Sequence, residues 1–600
     1  MAGLILLLQQ GKDFMATPHE ASASPEAVFA YLANEVMKQL RPEIQEFLMM
    51  VVYLPTMSNQ LAERLTGQVQ SRAFLSELYE TRCFIERRQE EEWVYQFHPL
   101  FRDFLIARAQ ATMTQEQLTE LQVRAGRVLD EAGHIEEAIG VLQKAGRVDE
   151  QIALILTSAP ILLSQGRSQT VEEWITKLPG NVLSHQPWLL FWLAHCRFAS
   201  NPRAAQPLFE QAFTGLQANK DQTGVLLSWC GIIDSTLFSW EDLRRLDPWI
   251  DRFPTLLPVE GLSTLSTEVQ NKVVYSVATG LMWRRTFTSE AAEWMERLED
   301  VLMVTEPNQA ALIGHHLLSY YTWMGQITKA DLAMERLHAR VRHAPLLPLA
   351  RINYLLTQSI YTWHSGEPEL AKSCVLEGRE VGKASGIRIF DFPLMVVQVW
   401  ILKYIGDLQA AETLLEEIKA HPQFSQCFAS PFYHYLASQV FMLKGDTGSA
   451  WSHIERASAF STVVGCPFWK TKWHFEMAEQ LLERGDLQEA AMHLNQIDES
   501  NALPMSHMWN FEFLSMKAHY AFEGGDEDGG TQALRAAMHV GRIERLVDFP
   551  GWRPKIMARL CERALEDGIE VEYVHGLIRK RNLVAHASPL MTELWPWPEG

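Results

Sequence analysis

The chain has 600 residues and a formal net charge of −20, since 73 Asp and Glu outnumber 53 Lys and Arg. This excess of negative charge gives no general attraction for phosphate backbones or anionic lipids, so we predict neither direct nucleic-acid binding nor a membrane partner. The seven cysteines are odd in number, widely scattered and never at metal-ligand spacing. This usage indicates free thiols in a reducing cytoplasm, without disulfides or a bound metal.

The first 24 residues contain one short apolar run, from Gly3 to Leu8. The run is too short to span a bilayer. It also lacks the basic flank and the cleavage site of a secretion signal, so we predict a cytoplasmic protein.

Residues 25–110 have the pattern of a small winged-helix domain. Pro25 and Pro42 each stand at the first position of a predicted helix, and two further short helices follow. Cys83–Arg87 and Trp93–Phe97 have the composition of two strands joined by an acidic turn. Helices followed by such a two-stranded wing predict a winged-helix fold.

Four stretches of this segment carry a family resemblance, and they are Phe29–Val36, Phe47–Pro55, Leu65–Gly67 and Phe97–Leu105. They look like the segment that follows the ATPase module in MalT-like (maltose-regulator-type) signal-transducing ATPases, which are bacterial transcription regulators. The resemblance implies the domain order of that family. A nucleotide-binding module is followed by a winged helix, a superhelical repeat sensor and a terminal DNA-binding output domain.

The nucleotide-binding module of that family implies a phosphate-binding loop, which needs four residues between its two glycines, followed by Lys and then Ser or Thr. The most similar stretch of this chain, Gly378 to Ala384, has only three residues between its glycines. We therefore expect neither an ATPase core nor an output domain in this chain. Residues 1–24 are then predicted to be a remnant or linker from a preceding ATPase module. Residues 581–600 are predicted to be a C-terminal linker, because Trp595–Pro598 resemble the linker before the output domain of related activators.

His98 has two interpretations. In related nucleotide switches a winged-helix histidine near this position can contact a nucleotide phosphate, so the resemblance makes His98 a candidate nucleotide sensor acting across chains. The alternative is structural, with His98 capping the junction between the wing and a helix that begins at Pro99.

A repeat of about forty residues organises the remainder of the chain. Six glycines stand 41, 40, 39, 40 and 40 residues apart, namely Gly325, Gly366, Gly406, Gly445, Gly485 and Gly525. A small residue follows each glycine by five positions and an apolar residue follows it by nine. This pattern predicts helical hairpins, in which a left-handed glycine ends the first helix and the small residue lets the second helix pack closely.

The segment from Gly485 to Ala490, Gly-Asp-x-x-x-Ala, resembles the tetratricopeptide repeat, although the period exceeds the usual length of about thirty-four residues. Weaker versions of the pattern extend the array over residues 111–580, with turns at Gly133, Gly166 and Thr286 and with Ala205 as the small residue after Ser200 and Asn201. We therefore predict an all-α fold. It is a right-handed α-α superhelix of tetratricopeptide-like repeats, preceded by the small winged-helix domain.

Aromatic residues on the predicted first helices are the candidate ligand-binding residues. On a concave surface such rings can stack on a ligand or hold an apolar helix. The candidates are Trp283, His316, Tyr320, Trp323, Trp363 and Trp400. The alternative for the aromatic rings is packing between repeats, and the pair His315–His316 more often combines a core histidine with a solvated one than binds a metal.

No catalytic motif is recognisable, so we predict a protein that is not an enzyme and carries no cofactor. The sequence favours the ligand-sensing and protein-interaction region of a bacterial MalT-like transcription regulator, which binds an inducer or a partner on the concave face of the array. Two alternatives stay open. One is a tetratricopeptide-like scaffold for protein assembly with no small ligand, and the other is part of a split ATP-dependent switch with a separate ATPase or DNA-binding chain.

Overall fold

The computed structural model describes residues 25–89, 92–422, 429–459, 463–500 and 502–584. The segment predicted to be a remnant at the N-terminus, and most of the predicted C-terminal linker, lie outside these ranges. The six cysteines within them are buried free thiols, and Cys427 lies outside. No helix in the described ranges combines the length and the hydropathy that a membrane crossing requires. The chain divides into two compact units, Met1–Trp192 and Leu193–Gly600.

The first unit contains mostly helices and one β-hairpin. Its elements are α1 (Pro25–Gln39), α2 (Pro42–Val51), α3 (Asn59–Thr66), α4 (Ser71–Glu80), β1 (Ile85–Gln89), β2 (Trp93–Phe97), α5 (Pro99–Thr112), α6 (Gln115–Glu131), α7 (Ile135–Lys144), α8 (Val148–Ser164), α9 (Ser168–Thr176) and α10 (Gly180–Leu183). The next helix, α11 (Pro187–Phe198), includes the boundary between the units.

Helices α1–α5 and the β-hairpin form the predicted winged helix. Strands β1 and β2 pair antiparallel, with Ile85 opposite Phe97, and Phe97 packs edge-on against Phe101 of α5 with ring centroids 5.9 Å apart. Strand β1 begins at Ile85 and not at Cys83 as predicted. The reason is local, because Arg82 and Phe84 both have a φ of 52°, which an extended strand does not contain.

Helices α6–α9 follow as hairpins. Their connecting turns contain left-handed glycines, with φ of 82° at Gly133, 66° at Gly146 and 77° at Gly166. A capping box between Thr114 and Gln117 starts α6. The weak turn signals at Gly133 and Gly166 therefore do mark helical hairpins.

The second unit is also built of helical hairpins. After α11 its helices are α12 (Pro202–Ala218), α13 (Gln222–Phe238), α14 (Asp247–Leu256), α15 (Thr267–Arg284), α16 (Ser289–Val304), α17 (Pro307–Trp323), α18 (Ile327–Val341), α19 (Pro348–His364), α20 (Pro368–Ser385), α21 (Asp391–Ile405), α22 (Leu408–Ala420), α23 (Ala429–Lys444), α24 (Thr447–Arg456), α25 (Pro467–Glu483), α26 (Leu487–Asp498), α27 (Ala502–Met505), α28 (His507–Glu523), α29 (Glu527–Ile543), α30 (Pro554–Glu566) and α31 (Val571–Arg581). Two short 3-10 helices, Leu243–Leu246 and Val259–Thr264, flank α14.

Each of the six regularly spaced glycines separates the two helices of a hairpin, with φ between 66° and 83°. Four turns also have an Asp that accepts a hydrogen bond from the backbone N–H three residues later, at 2.9 to 3.2 Å; these are Asp407, Asp446, Asp486 and Asp526. The small residues five positions after the glycines are all buried, namely Ala330, Ala371, Ala411, Ala450, Ala490 and Gly530. The predicted all-α, tetratricopeptide-like array is confirmed.

Contacts between distant hairpins hold the second unit together. The backbone N–H of His507 donates to the carbonyl of Met324 at 2.8 Å, and the hydroxyl of Ser506 donates to the carbonyl of Trp323 at 2.7 Å. Phe468 of α25 stacks on Trp323 with ring centroids 4.2 Å apart. The later hairpins therefore lie against earlier ones, a contact that the repeat pattern alone does not predict.

Candidate ligand-binding site

The first helices of seven successive hairpins in the second unit contribute to one apolar pocket, which we call the aromatic pocket; they are α15, α17, α19, α21, α23, α25 and α28. The pocket has a volume of about 100 Å³. Six tryptophans line it, namely Trp240, Trp283, Trp323, Trp363, Trp400 and Trp469. Three phenylalanines complete the ring of aromatic side chains, namely Phe392, Phe432 and Phe468.

The tryptophan rings of the pocket pack against each other. Trp363 and Trp400 stack with centroids 5.1 Å apart and 12° between their planes, and Trp469 continues the stack beyond Trp400 at 6.3 Å and 17°. Trp283 meets Trp323 edge to face at 5.3 Å. Such pairs contribute about 0.5 to 1.5 kcal/mol each beyond the burial of their surface, so we expect the lining to be preorganised.

The structure brings five of the six candidate residues to the pocket, namely Trp283, His316, Trp323, Trp363 and Trp400. Tyr320 is not part of the lining; it is 2% exposed and its ring lies beside Tyr321. The pocket face of α17 carries His315, His316, Ser319 and Trp323. Tyr320 follows His316 by one helical turn, but it does not reach the pocket.

Sequence reasoning missed Trp240 and Trp469. Trp240 precedes Trp283 by about one repeat, so the column of tryptophans that suggested the other candidates could have included it. Trp469 lies near the start of α25, whereas Trp283, Trp323 and Trp363 lie at the ends of their helices. Only the contact between distant hairpins brings Trp469 to the pocket.

Three histidines of the pocket favour their neutral form. Burial lowers the pKa of His315 to about 3 and that of His316 and His364 to about 4. For His364 the nearby positive charge of Lys472 lowers the pKa further. The imidazole of His316 has a local partner, because its Nδ1 lies 3.3 Å from the hydroxyl oxygen of Tyr275. In the described ranges no group of three or more His, Cys, Asp or Glu is placed to hold a metal ion.

Because the pKa values of these three histidines are lowered, we expect the stability of the protein to depend on pH. The pKa of a histidine in the unfolded chain is near 6.5, so between about pH 6.5 and pH 4 the unfolded state binds more protons than the folded state. The free energy of unfolding should therefore fall as the pH is lowered, by about 1 to 2 kcal/mol per histidine between pH 7.5 and pH 5. Urea unfolding at the two pH values measures the loss. We expect His364→Phe to reduce it and the exposed control His343→Gln to leave it unchanged.

A cluster of buried charges, which we call the charge cluster, lies beside the aromatic pocket. Lys472 and Glu512 form an ion pair with side chains that are 0% and 1% exposed. Arg553 donates hydrogen bonds to Glu476 at 2.9 Å and to Glu479 at 2.6 Å. Burial raises the pKa of Glu479 to about 8, although the charge of Arg553 opposes this shift.

The segment Leu546–Arg553 connects the aromatic pocket with the last helix. Its Pro550 lines the pocket, and the carbonyl of Pro550 accepts a hydrogen bond from the Lys403 ammonium at 3.1 Å. Its Asp548 forms an ion pair of 3.3 Å with Arg581 of α31, and both side chains are buried. The segment thus contacts both the pocket and α31.

A family comparison identifies part of the first unit. Residues 33–117 match the family model described as the MalT winged helix domain. This region is a MalT winged helix domain. The predicted resemblance to MalT-like regulators is thereby confirmed for the winged helix, and the helical array that follows it is tetratricopeptide-like.

Curated relatives match about a third of this chain. The HTH-type transcriptional regulator MalT of Yersinia pestis (strain Pestoides F) is 31% identical over 193 residues, which are 32% of this chain and 21% of that protein. The serine/threonine-protein kinase PknK of Mycobacterium tuberculosis (strain CDC 1551 / Oshkosh) is 26% identical over 178 residues, or 30% of this chain and 16% of that protein. The chain thus spans about a fifth or less of the length of these relatives.

Among solved structures, the chain is similar to a signal transduction ATPase with numerous domains that has a tetratricopeptide repeat sensor, PH0952 from Pyrococcus horikoshii. The two share 15% sequence identity with a TM-score of 0.49, over 78% of this chain and 68% of that one. It is also similar to a human IFIT1 dimer, with 12% identity and a TM-score of 0.35 over 72% of this chain and 96% of that one.

In the MalT winged helix domain, His98 lies at the junction before α5. Its backbone N–H donates to the carbonyl of Phe84 at 2.8 Å, and its carbonyl accepts from the N–H groups of Phe101 and Arg102 at 2.9 and 3.0 Å. The exposed ring stacks against Phe29 at 5.7 Å and makes no capping hydrogen bond. The backbone thus has the geometry of the junction interpretation, and contact with a nucleotide stays a prediction.

Proposed function

We propose that this chain is the ligand-sensing and protein-interaction region of a bacterial MalT-like transcription regulator of the cytoplasm, and that its inducer binds in the aromatic pocket. The observation that carries the proposal is the convergence of six tryptophans from different hairpins on one pocket. Small-molecule sites are typically concave and lined by apolar and aromatic side chains. The regulatory context comes from the MalT winged helix domain.

The size of the aromatic pocket favours a small molecule over a partner helix. A volume of about 100 Å³ accommodates a group of ring size, whereas a helix with its side chains has a diameter of about 10 to 12 Å. The contact of Trp323 with Phe468 further narrows the space between the hairpins. A protein partner would therefore bind to another surface of the array.

The segment Leu546–Arg553 provides a route for the signal. A ligand that contacts Pro550 favours those positions of the segment in which it fits the pocket. The ion pair between Asp548 and Arg581 transmits the shift to α31. The arrangement of the last helices, and of any domain or chain that they contact, would then depend on occupancy of the pocket.

The proposal is tested by titrating the full chain with a collection of small metabolites while tryptophan fluorescence and the thermal midpoint are recorded. We expect at least one compound to change both signals, because a ligand at 100 times its Kd stabilises the folded state by about 2.7 kcal/mol. Val397→Phe, which fills the pocket, should abolish both changes. Trp451→Phe, at a ring covered by Arg484 outside the pocket, should preserve them.

Two other results would favour the alternative functions. A protein partner that copurifies with the chain, combined with no response to any compound, would support a scaffold without a small ligand. Association with a separate ATPase chain that depends on ATP and on His98 would support a split switch.

A further inference from the structure

The lining of the aromatic pocket restricts the chemistry of its ligand. We propose that the pocket takes an uncharged, mainly apolar molecule about the size of a single six-membered ring, and neither an ion nor a polyhydroxylated sugar. The proposal rests on the ligand-sensing function proposed above and adds the class of ligand.

Charge is the first restriction. Among the residues that the structure describes, the lining contains no Asp, Glu, Lys or Arg. Of the charged groups next to the pocket, Lys472 is paired with Glu512, and Arg553 with Glu476 and Glu479. The Lys403 ammonium is bonded to the side-chain oxygen of Gln439 and to the carbonyl of Pro550. An ionic ligand would therefore lose its hydration without meeting a counter-charge in the lining.

The small number of hydrogen-bond acceptors is the second restriction. The polar groups of the lining are Ser319, three histidines and the indole N–H groups, which donate but cannot accept a hydrogen bond. Among the described residues the N–H of Trp400 has no hydrogen-bond acceptor. Two of these histidines already have neighbours, because Nδ1 of His315 lies 3.4 Å from the hydroxyl of Thr357, and Nδ1 of His316 lies near Tyr275. A sugar presents a hydroxyl on most ring carbons, and each buried hydroxyl without a partner costs about 1 to 3 kcal/mol.

Shape and size favour a ring. The rings of Trp363, Trp400 and Trp469 have nearly parallel planes and offer flat apolar surfaces. The rings of Trp283 and Trp323 lie at a right angle to each other, edge to face. Dry apolar cavities of roughly 150 Å³ in other proteins bind benzene. The volume of about 100 Å³ in this pocket is of the same order.

Four probes of one-ring size test the proposal on the full chain, namely toluene, benzoate, phenyltrimethylammonium and glucose. We expect toluene to bind saturably, raising the thermal midpoint and changing tryptophan fluorescence. The anion and the sugar should bind at least about 100-fold more weakly, because each would leave polar groups without partners. The cation should also bind more weakly than toluene, because the aromatic faces offer it cation–π attraction but no counter-charge to replace its lost hydration. Val397→Phe should abolish the response to toluene, and Val259→Phe, at a position 43% exposed, should retain it.

The outcomes separate the ligand class from the function. Saturable binding of glucose or of either ion, sensitive to Val397→Phe and without binding of toluene, would overturn the ligand class and leave the sensing function standing. No response to the four probes or to the metabolite collection would overturn both. If Val397→Phe fails to fold, Ser319→Leu fills the same pocket from α17 and replaces it in the comparison.

Discussion

Replacing Gly325 by Ala should destabilise the second unit by about 3 kcal/mol or more, whereas Gly485→Ala, at the equivalent turn of another hairpin, should cost only about 1 kcal/mol. Both glycines have a left-handed φ, 66° and 78°, so the backbone strain of alanine is similar at the two positions. The difference lies in the surroundings. A Cβ at Gly325 would lie 3.0 Å from Cα of Met508 and closer still to its backbone nitrogen, whereas a Cβ at Gly485 would meet nothing within 4 Å.

The clash at Gly325 involves backbone, which cannot move away as a flexible side chain would. The start of α28 would have to shift, and two hydrogen bonds would be lost or weakened, from His507 to Met324 and from Ser506 to Trp323. Each contributes about 1 kcal/mol. Urea unfolding followed by tryptophan fluorescence measures both variants. Equal losses at Gly325 and Gly485 would show that the contact between distant hairpins adds nothing to stability.

Lys472→Met should destabilise the protein by about 3 to 5 kcal/mol, because it leaves the Glu512 carboxylate buried without its partner. The side chains of this pair are 0% and 1% exposed. The matched control is Arg351→Met, which breaks an ion pair with Glu377 whose side chains are 43% and 47% exposed. Solvent screens such a pair, so the control should lose less than about 1 kcal/mol.

A double variant and a pH series identify the cause of the loss at Lys472. Lys472→Met combined with Glu512→Met should lose less stability than Lys472→Met alone, since no buried charge is left without a partner. Burial already raises the pKa of Glu512. Without Lys472 the folded state gains further from protonating this carboxyl, so the deficit of Lys472→Met should shrink as the pH is lowered. A deficit that is independent of pH and unchanged in the double variant would indicate a packing defect instead.

The hairpins were predictable because the signals that form them are local. A left-handed glycine, an Asp at the next turn position and a buried Ala act within one hairpin, as in the sequence from Gly485 to Ala490. The start of β1 was less predictable, because the positive φ of Arg82 and Phe84 has no signature in residue type. The period also explains why five candidate residues meet at one pocket, since equivalent positions of stacked hairpins lie on the same side.

The remaining part of the site depends on contacts that no single repeat encodes. Trp469 and Pro550 reach the pocket only because later hairpins return to earlier ones. The pairing of Lys472 with Glu512 joins the first helices of two hairpins, and each residue alone reads as an ordinary polar position in a helix. Tyr320 was predicted to belong to the site and does not line the pocket. It is an aromatic residue on a helix that contributes to the pocket, but its ring lies in another part of the core, beside Tyr321.

The sequence by itself determined the repeated helical hairpin, its turns and its close packing, because each depends on residues within about forty positions of one another. The winged helix could likewise be predicted from its helices, its two strands and the motifs that resemble those of MalT-like regulators. The tertiary structure alone decided which tryptophans share a pocket, which charges are buried together and which segment connects them to the last helix. Small rotations from one hairpin to the next accumulate along the array, and their sum sets which distant residues come into contact.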